Sequence, residues 1–250
     1  MDYPGQAAKN RLACDAKMFF LSPSYNRYVG DSEITCNPSE HKSNGVIGDI
    51  INMVSSRSKK ALLVVDAQND FCPGGTLGIH GGHEIIPILN EYIKFFEKEN
   101  LPIFVTRDWH PKVTKHFKQF GGVWPEHCVE GSPGAQFHPD LKFPKTTFVV
   151  SKGMDPEKDS YSAFHATDLS GMTLANLLKF YGVTEIYISG LATDYCVKYS
   201  ALDALKDGLE VFILADAIAG VNLQPEDSSV ALEEMVSRGA KKQYLKNFFG

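Results

Sequence analysis

The stretch EIYISGLATDYCVKYSALDAL, Glu185 to Leu205, carries a cysteine at a place where a thiol can react. Glu185 to Ser189 is a short β-branched and aromatic run that predicts a buried strand ending at Gly190. Apolar spacing at Tyr195, Val197, Tyr199, Leu202 and Leu205 predicts a helix after it, with Asp194 as N-cap and Gly208 as stop. Cys196 then falls in the first helical turn. Unpaired backbone N–H groups at a helix start favour thiolate over thiol, and the same groups can hold an oxyanion. A cysteine considered alone is more often a small buried hydrophobe. What distinguishes this one is the set of residues expected at other strand ends.

Asp66 follows the apolar run Ala61 to Val65. Asp108 and His110 follow a strand predicted over Pro102 to Thr106, and Lys152 follows one over Thr146 to Ser151. Each has a common structural explanation: a cap or turn for Asp, a solvated charge for Lys, an ordinary loop residue for His. Ligands of open parallel sheets bind beyond the carboxyl ends of the strands, so these residues would share one edge. A thiol of ordinary pKa about 8.5 needs a nearby cation to ionise, which Lys152 supplies, and a carboxylate to take its proton, which Asp66 supplies. This is a Cys-Lys-Asp set for acyl transfer. Asp108 and His110 put a carboxylate and an imidazole within reach of one ion, and His116 and His127 would complete a mixed nitrogen and oxygen site. Such a site suits zinc, iron or manganese better than calcium.

The elements that must position these groups alternate. Helical spacing predicts helices over Glu84 to Lys98, Thr173 to Tyr181 and Glu226 to Arg238, and further strands over Glu210 to Leu214 and Lys242 to Leu245. Strands alternating with helices predict a single α/β domain with a mostly parallel central sheet covered on both faces. A Gly-rich loop, QNDFCPGGTLGIHGG, follows the first strand, and a long irregular region runs from Pro111 to Lys145. Loops that long inside a compact domain are usually functional. Residues 1–58 are polar and lack sustained periodicity, with a helical hint only at Gly45 to Val54, and are read as an N-terminal extension to a domain over 59–250.

At 250 residues the chain is long enough for one sizeable core. A formal net charge of −5 and the lack of a basic cluster argue against a nucleic-acid partner, and no membrane span is visible. The N-terminus lacks the apolar core of a secretory signal. Five scattered cysteines read as separate thiols in a reducing intracellular setting. The loop after Val65 is neither GxGxxG nor a P-loop, which leaves a nucleotide-binding module without support.

The stretches VVDAQNDFCPGG, TRDWHP, GGVWPEHCVEGSPGAQFHPDL, SKGMDPEKDSYSAF, SGLATDYCVKYSALDAL and DAIAGV occur in this order between about Lys59 and Leu245. Together they resemble the nicotinamidases of the isochorismatase-like cysteine hydrolase superfamily. The resemblance implies hydrolysis of nicotinamide to nicotinic acid and ammonia through a cysteine thioester, in NAD salvage, with pyrazinamide as an analogue. By the same resemblance, Asp66 is the acid/base, Lys152 its lysine partner and Cys196 the nucleophile. Asp108, His110 and His127 are metal ligands, and His116 matches a further histidine that coordinates metal in some members. A cis peptide is implied at Leu191 to Ala192, with the N–H groups of Ala192 and Cys196 as oxyanion hole. Phe71, Trp124, Tyr161 and Tyr195 would enclose the pyridine ring. The cofactor implied is one divalent ion, zinc first, with iron and manganese as alternatives. The expected compartment is the cytoplasm, with the nucleus as a second. Members include monomers and assemblies, so a homo-oligomer is left open. One departure is visible: PKVTK between His110 and His116 is longer than the family's HPxNH form. The alternative reading on the same fold is a hydrolase of an N-carbamoyl amine or of isochorismate.

Overall fold

The computed structural model describes residues 60–248. Six strands form one sheet: β1 (Lys60–Val65), β2 (Ile103–Asp108), β3 (Phe148–Lys152), β4 (Glu185–Leu191), β5 (Glu210–Ala219) and β6 (Lys241–Gln243). Their order is β3-β2-β1-β4-β5-β6, and every neighbouring pair is parallel. The four α-helices among the described residues are α1 (Ile85–Lys98), α2 (Leu174–Phe180), α3 (Lys198–Lys206) and α4 (Asp227–Ser237). The expected α/β architecture is borne out. The extension over 1–58, its helical hint, Cys14 and Cys36 lie outside the described residues.

Parallel strands must be covered on both faces, so β1 is apolar throughout and its side chains alternate between two cores. Ala61, Leu63 and Val65 join Leu174 and Leu178 of α2, Ala201 and Ala204 of α3 and Met235 of α4. Leu62 and Val64 face the other way, onto Ile86, Leu89, Ile93 and Phe96 of α1. Each of those α1 side chains is almost wholly buried, and such burial contributes about 1.5–3 kcal/mol per side chain. Phe96→Ala alone would cost about 3–5 kcal/mol.

The sheet order reverses at β1: the chain passes outward through β2 and β3, then returns to lay β4 on the other side. The crevice at such a reversal lies between the carboxyl ends of β1 and β4. Asp66 leaves β1 there, and Cys196 follows β4. Two strand limits differ from the sequence expectation in ways that matter. β2 continues past Thr106 to Asp108, which places Asp108 in register with Lys152 on β3. β5 continues to Ala219, so Asp216 lies within the strand and accepts a hydrogen bond from Tyr92 Oη at 2.8 Å. Among the described residues, no helix is long and apolar enough to cross a membrane.

Candidate active site

Because Asp108 and Lys152 are neighbours across β2 and β3, the Lys152 side chain runs under the strand ends without reaching water. Its ammonium hydrogen-bonds Asp108 Oδ1, lies 2.8 Å from Asp66 Oδ2 and donates to Cys196 Sγ at 3.4 Å. Asp66 leaves β1 in the left-handed backbone region, at φ 46°, and Thr106 Oγ1 donates to its Oδ1 at 2.6 Å. Its Oδ2 is buried and meets the ammonium as an ion pair, with no further hydrogen-bond partner. That oxygen therefore keeps a lone pair able to take a proton.

Burial is the largest influence on all four charges, and the pairs decide the outcome. It pushes the Cys196 thiol well up, and Lys152 opposes this without overcoming it. It raises the Asp66 carboxyl, again only partly offset by Lys152. It would also raise Asp108, but Lys152 and two histidines outweigh it and hold that carboxyl well below the usual range. For Lys152 burial would lower the ammonium, yet Asp108 and Asp66 hold it well above its ordinary value. The resting site thus contains a fixed cation, a fixed anion at Asp108, and a thiol and an Asp66 carboxyl that each hold a proton more tightly than usual.

The segment around Cys196 corrects the sequence reading. The chain leaves β4 through a cis peptide at Leu191-Ala192 and enters a π turn over Thr193–Val197 before α3 begins at Lys198. Val197 N donates to Ala192 O at 3.0 Å, a five-residue step that makes the turn wide. Asp194 is not an N-cap. Its carboxylate instead accepts from Val221 N at 2.9 Å and Asn222 N at 2.8 Å, tying the turn to the loop after β5. Gly190 precedes the turn at φ 105°, where a side chain would run into the Val65 carbonyl.

Beside this set are three buried histidines. His110, His116 and His127 each present one ring nitrogen within 4.8 Å of the others. In each, Nδ1 is already taken: by Gly153 O at 3.0 Å for His110, by Pro125 O at 2.7 Å for His127, and by the Asp159 carboxylate for His116. An Nδ1–H so engaged fixes the tautomer and leaves Nε2 as the donor atom, the usual arrangement around metal-binding imidazoles. His110 Nε2 is buried without a hydrogen-bond partner and lies 3.7 Å from Asp108 Oδ2. Burial lowers His116 and pushes His127 down to about 4, which keeps both neutral and able to ligate. The donor set fits a divalent transition metal.

A cleft opens over sulfur and histidines. Phe71, Trp124, Tyr161, Tyr195, Leu77 and Val221 form its walls, and Asp108, His116, His127, Ala192 and Cys196 its floor. Trp124 Nε1 donates to Tyr161 Oη at 3.0 Å and packs edge-on to Tyr195, with ring centroids 4.9 Å apart. Phe71 lies 5.4 Å from the His127 ring.

The isochorismatase domain family matches residues 60–243, the whole of the sheet described above. The chain belongs to this family. The nicotinamidase of Escherichia coli (strain K12) is 39% identical over 197 residues, 72% of this chain and 92% of that protein. Among solved structures, the pyrazinamidase of Pyrococcus horikoshii in complex with zinc superposes with a TM-score of 0.69 at 46% identity, covering 75% of this chain and 100% of that one. PnC1 from L. infantum in complex with nicotinate gives a TM-score of 0.68 at 34% identity, with 76% and 96% covered.

In this isochorismatase-family chain the structure brings together every residue the sequence pointed to at the site, His116 included, despite the longer PKVTK segment. It also adds residues that spacing did not signal. Gln68 Nε2 donates to Asp108 O and Ala135 O, both at 2.8 Å, while its Oε1 accepts from Asp108 N at 2.8 Å. Asp70 accepts from Cys128 N at 2.7 Å, fixing the strand of loop next to His127. Both lie within the motif VVDAQNDF, which was the available signal.

Proposed function

We propose that this chain hydrolyses nicotinamide to nicotinic acid and ammonia. The observation that carries the proposal is the buried Lys152 ammonium set between Asp66, Asp108 and Cys196, directly beneath an aromatic cleft that Asp108, Cys196, His116 and His127 line. The relatives named nicotinamidase and pyrazinamidase support that substrate class, and the neighbour crystallised with zinc supports zinc as the ion. Asp108, His110, His116 and His127 would hold that ion, which when bound supplies a Lewis-acidic anchor for the pyridine nitrogen.

The aromatic walls at Phe71, Trp124, Tyr161 and Tyr195 accept a flat heteroaromatic ring and exclude water. Cys196 gives its proton to Asp66, and the sulfur attacks the amide carbon while Lys152 stabilises the developing thiolate. The backbone N–H groups of Ala192 and Cys196 receive the oxyanion, each worth about 3 kcal/mol in comparable sites. Asp66 then passes its proton to the departing ammonia, leaving a thioester. Next, Asp66 removes a proton from water, whose oxygen displaces the sulfur. The raised carboxyl of Asp66 matches this exchange, since an acid/base works best when its pKa approaches the working pH.

Ammonia release from nicotinamide and pyrazinamide, before and after chelator treatment and zinc restoration, tests the proposal, with Cys196→Ala as the blank. Release that is abolished by chelation and restored by zinc is expected. Release only from an N-carbamoyl amine, or none from either pyridine-type amide, would overturn it.

A further inference from the structure

A second group of ligand atoms lies outside the catalytic cleft. Cys72, at the start of the Gly-rich loop after β1, His83, near that loop's end, and His138, from the next long loop, each offer one atom within 4.8 Å of the others. His83 Nδ1 and His138 Nε2 face each other at 3.0 Å. Two nitrogens bound to one tetrahedral ion at about 2.0–2.1 Å would stand only slightly further apart. His83 Nε2 is held by Pro73 O at 3.1 Å, the backing carbonyl that orients a ligating imidazole. The Cys72 sulfur is buried and meets only a weak acceptor, Gly82 O at 3.7 Å.

We propose that Cys72, His83 and His138 form a second metal site, for a thiophilic divalent ion such as zinc, with water in the fourth position. One thiolate and two imidazoles are a set that hard cations such as calcium and magnesium do not select. Without metal, Asp140 N donates to His138 Nδ1 at 3.2 Å, so His138 carries its proton on Nε2 and shares it with His83. On binding, that proton moves to Nδ1, the exposed Asp140 N–H turns to water, and the thiol proton of Cys72 is released to solvent. The site joins the loop carrying Phe71, which lines the catalytic cleft, to the segment at 138–140. Its role is to staple that wall.

The site is tested by loading the full-length apoprotein with cobalt(II). Wild type is expected to bind two equivalents and to show a thiolate-to-cobalt charge-transfer band. His83→Ala/His138→Ala should bind one, and Cys72→Ser should lose that band, while each keeps ammonia release from nicotinamide within about threefold of wild type. To separate this thiolate from Cys196, the band must persist in Cys196→Ala. One equivalent in wild type, or a band unchanged in Cys72→Ser, would overturn the site and leave His83 and His138 as imidazoles sharing a proton. Loss of activity with retained second-site binding in His127→Ala would bear on the proposed reaction alone.

Discussion

Lys152 Nζ donates to Cys196 Sγ at 3.4 Å from a side chain with no solvent exposure. A buried ammonium is tolerated only when its charge is matched, and here Asp66 and Asp108 match it. Those two carboxylates keep Lys152 protonated, which removes it from consideration as the base that activates sulfur. Asp66 is left for that task. The same cation explains how one carboxylate can stay ionised while its neighbour exchanges protons, since Asp108 has the hydrogen bond and Asp66 Oδ2 does not.

Lys152→Met should therefore damage both fold and chemistry. Two carboxylates and a thiol would be left buried without their cation, and breaking a buried pair in this way costs about 3–5 kcal/mol. Turnover should fall by about 100-fold or more, a typical loss for a group acting on proton transfer. Thermal unfolding and ammonia release read the two effects separately. Turnover within tenfold of wild type, in protein that still melts cooperatively, would remove Lys152 from the reaction.

The sheet and the catalytic edge were legible because apolar runs and the charged residue ending each one are local signals. Asp66, Lys152 and Cys196 could be placed on one rim from strand ends alone. Gln68 could not, because its three bonds to backbone atoms of Asp108 and Ala135 span 40 and 67 residues and leave no periodicity. The π turn was equally hidden. A first turn with one extra residue has the same composition as an α-helical start, and Asp194 looks like a cap until the loop at Val221 is folded against it.

Gly153→Ala should cost metal before it costs fold. Gly153 has φ 73°, and a Cβ there would lie 2.5 Å from His110 Cε1, against the ring whose Nδ1 the same residue's carbonyl holds. The left-handed backbone alone disfavours alanine by about 1 kcal/mol. The ring would be turned away from His116 and His127. Elemental analysis should show substoichiometric metal in a protein whose far-ultraviolet circular dichroism is unchanged, whereas a full complement of metal would show that His110 orientation is not set there.

Asp159→Asn should weaken metal retention without touching the donor atoms. His116 Nδ1 is bound by the Asp159 carboxylate, which makes the imidazole more basic and fixes its ring. Losses of this kind run to about 10–100-fold in metal affinity. The neighbouring pair of Lys115 and Glu157 is more than half exposed on both sides, so Glu157→Gln serves as the control with no expected change. Competition with a chromophoric chelator measures both; equal affinities for Asp159→Asn and wild type would show that His116 is not a ligand.

The metal-free protein should lose stability on mild acidification, and His127 sets the window. Burial holds His127 at about 4, below the ordinary histidine value of 6.5. The unfolded chain then binds a proton that the folded chain refuses, so the contribution is fully present above pH 6.5 and is lost as the pH falls toward 4. A depression of that size corresponds to about 3 kcal/mol. Asp66 is raised and works in the opposite sense, which is why wild type alone does not isolate the effect. The difference in unfolding free energy between chelator-treated wild type and His127→Asn does, because Asp66 is common to both. That difference should shrink steadily from pH 7 to pH 4 in wild type's disfavour; a difference independent of pH would mean that His127 already meets water in the folded, metal-free chain.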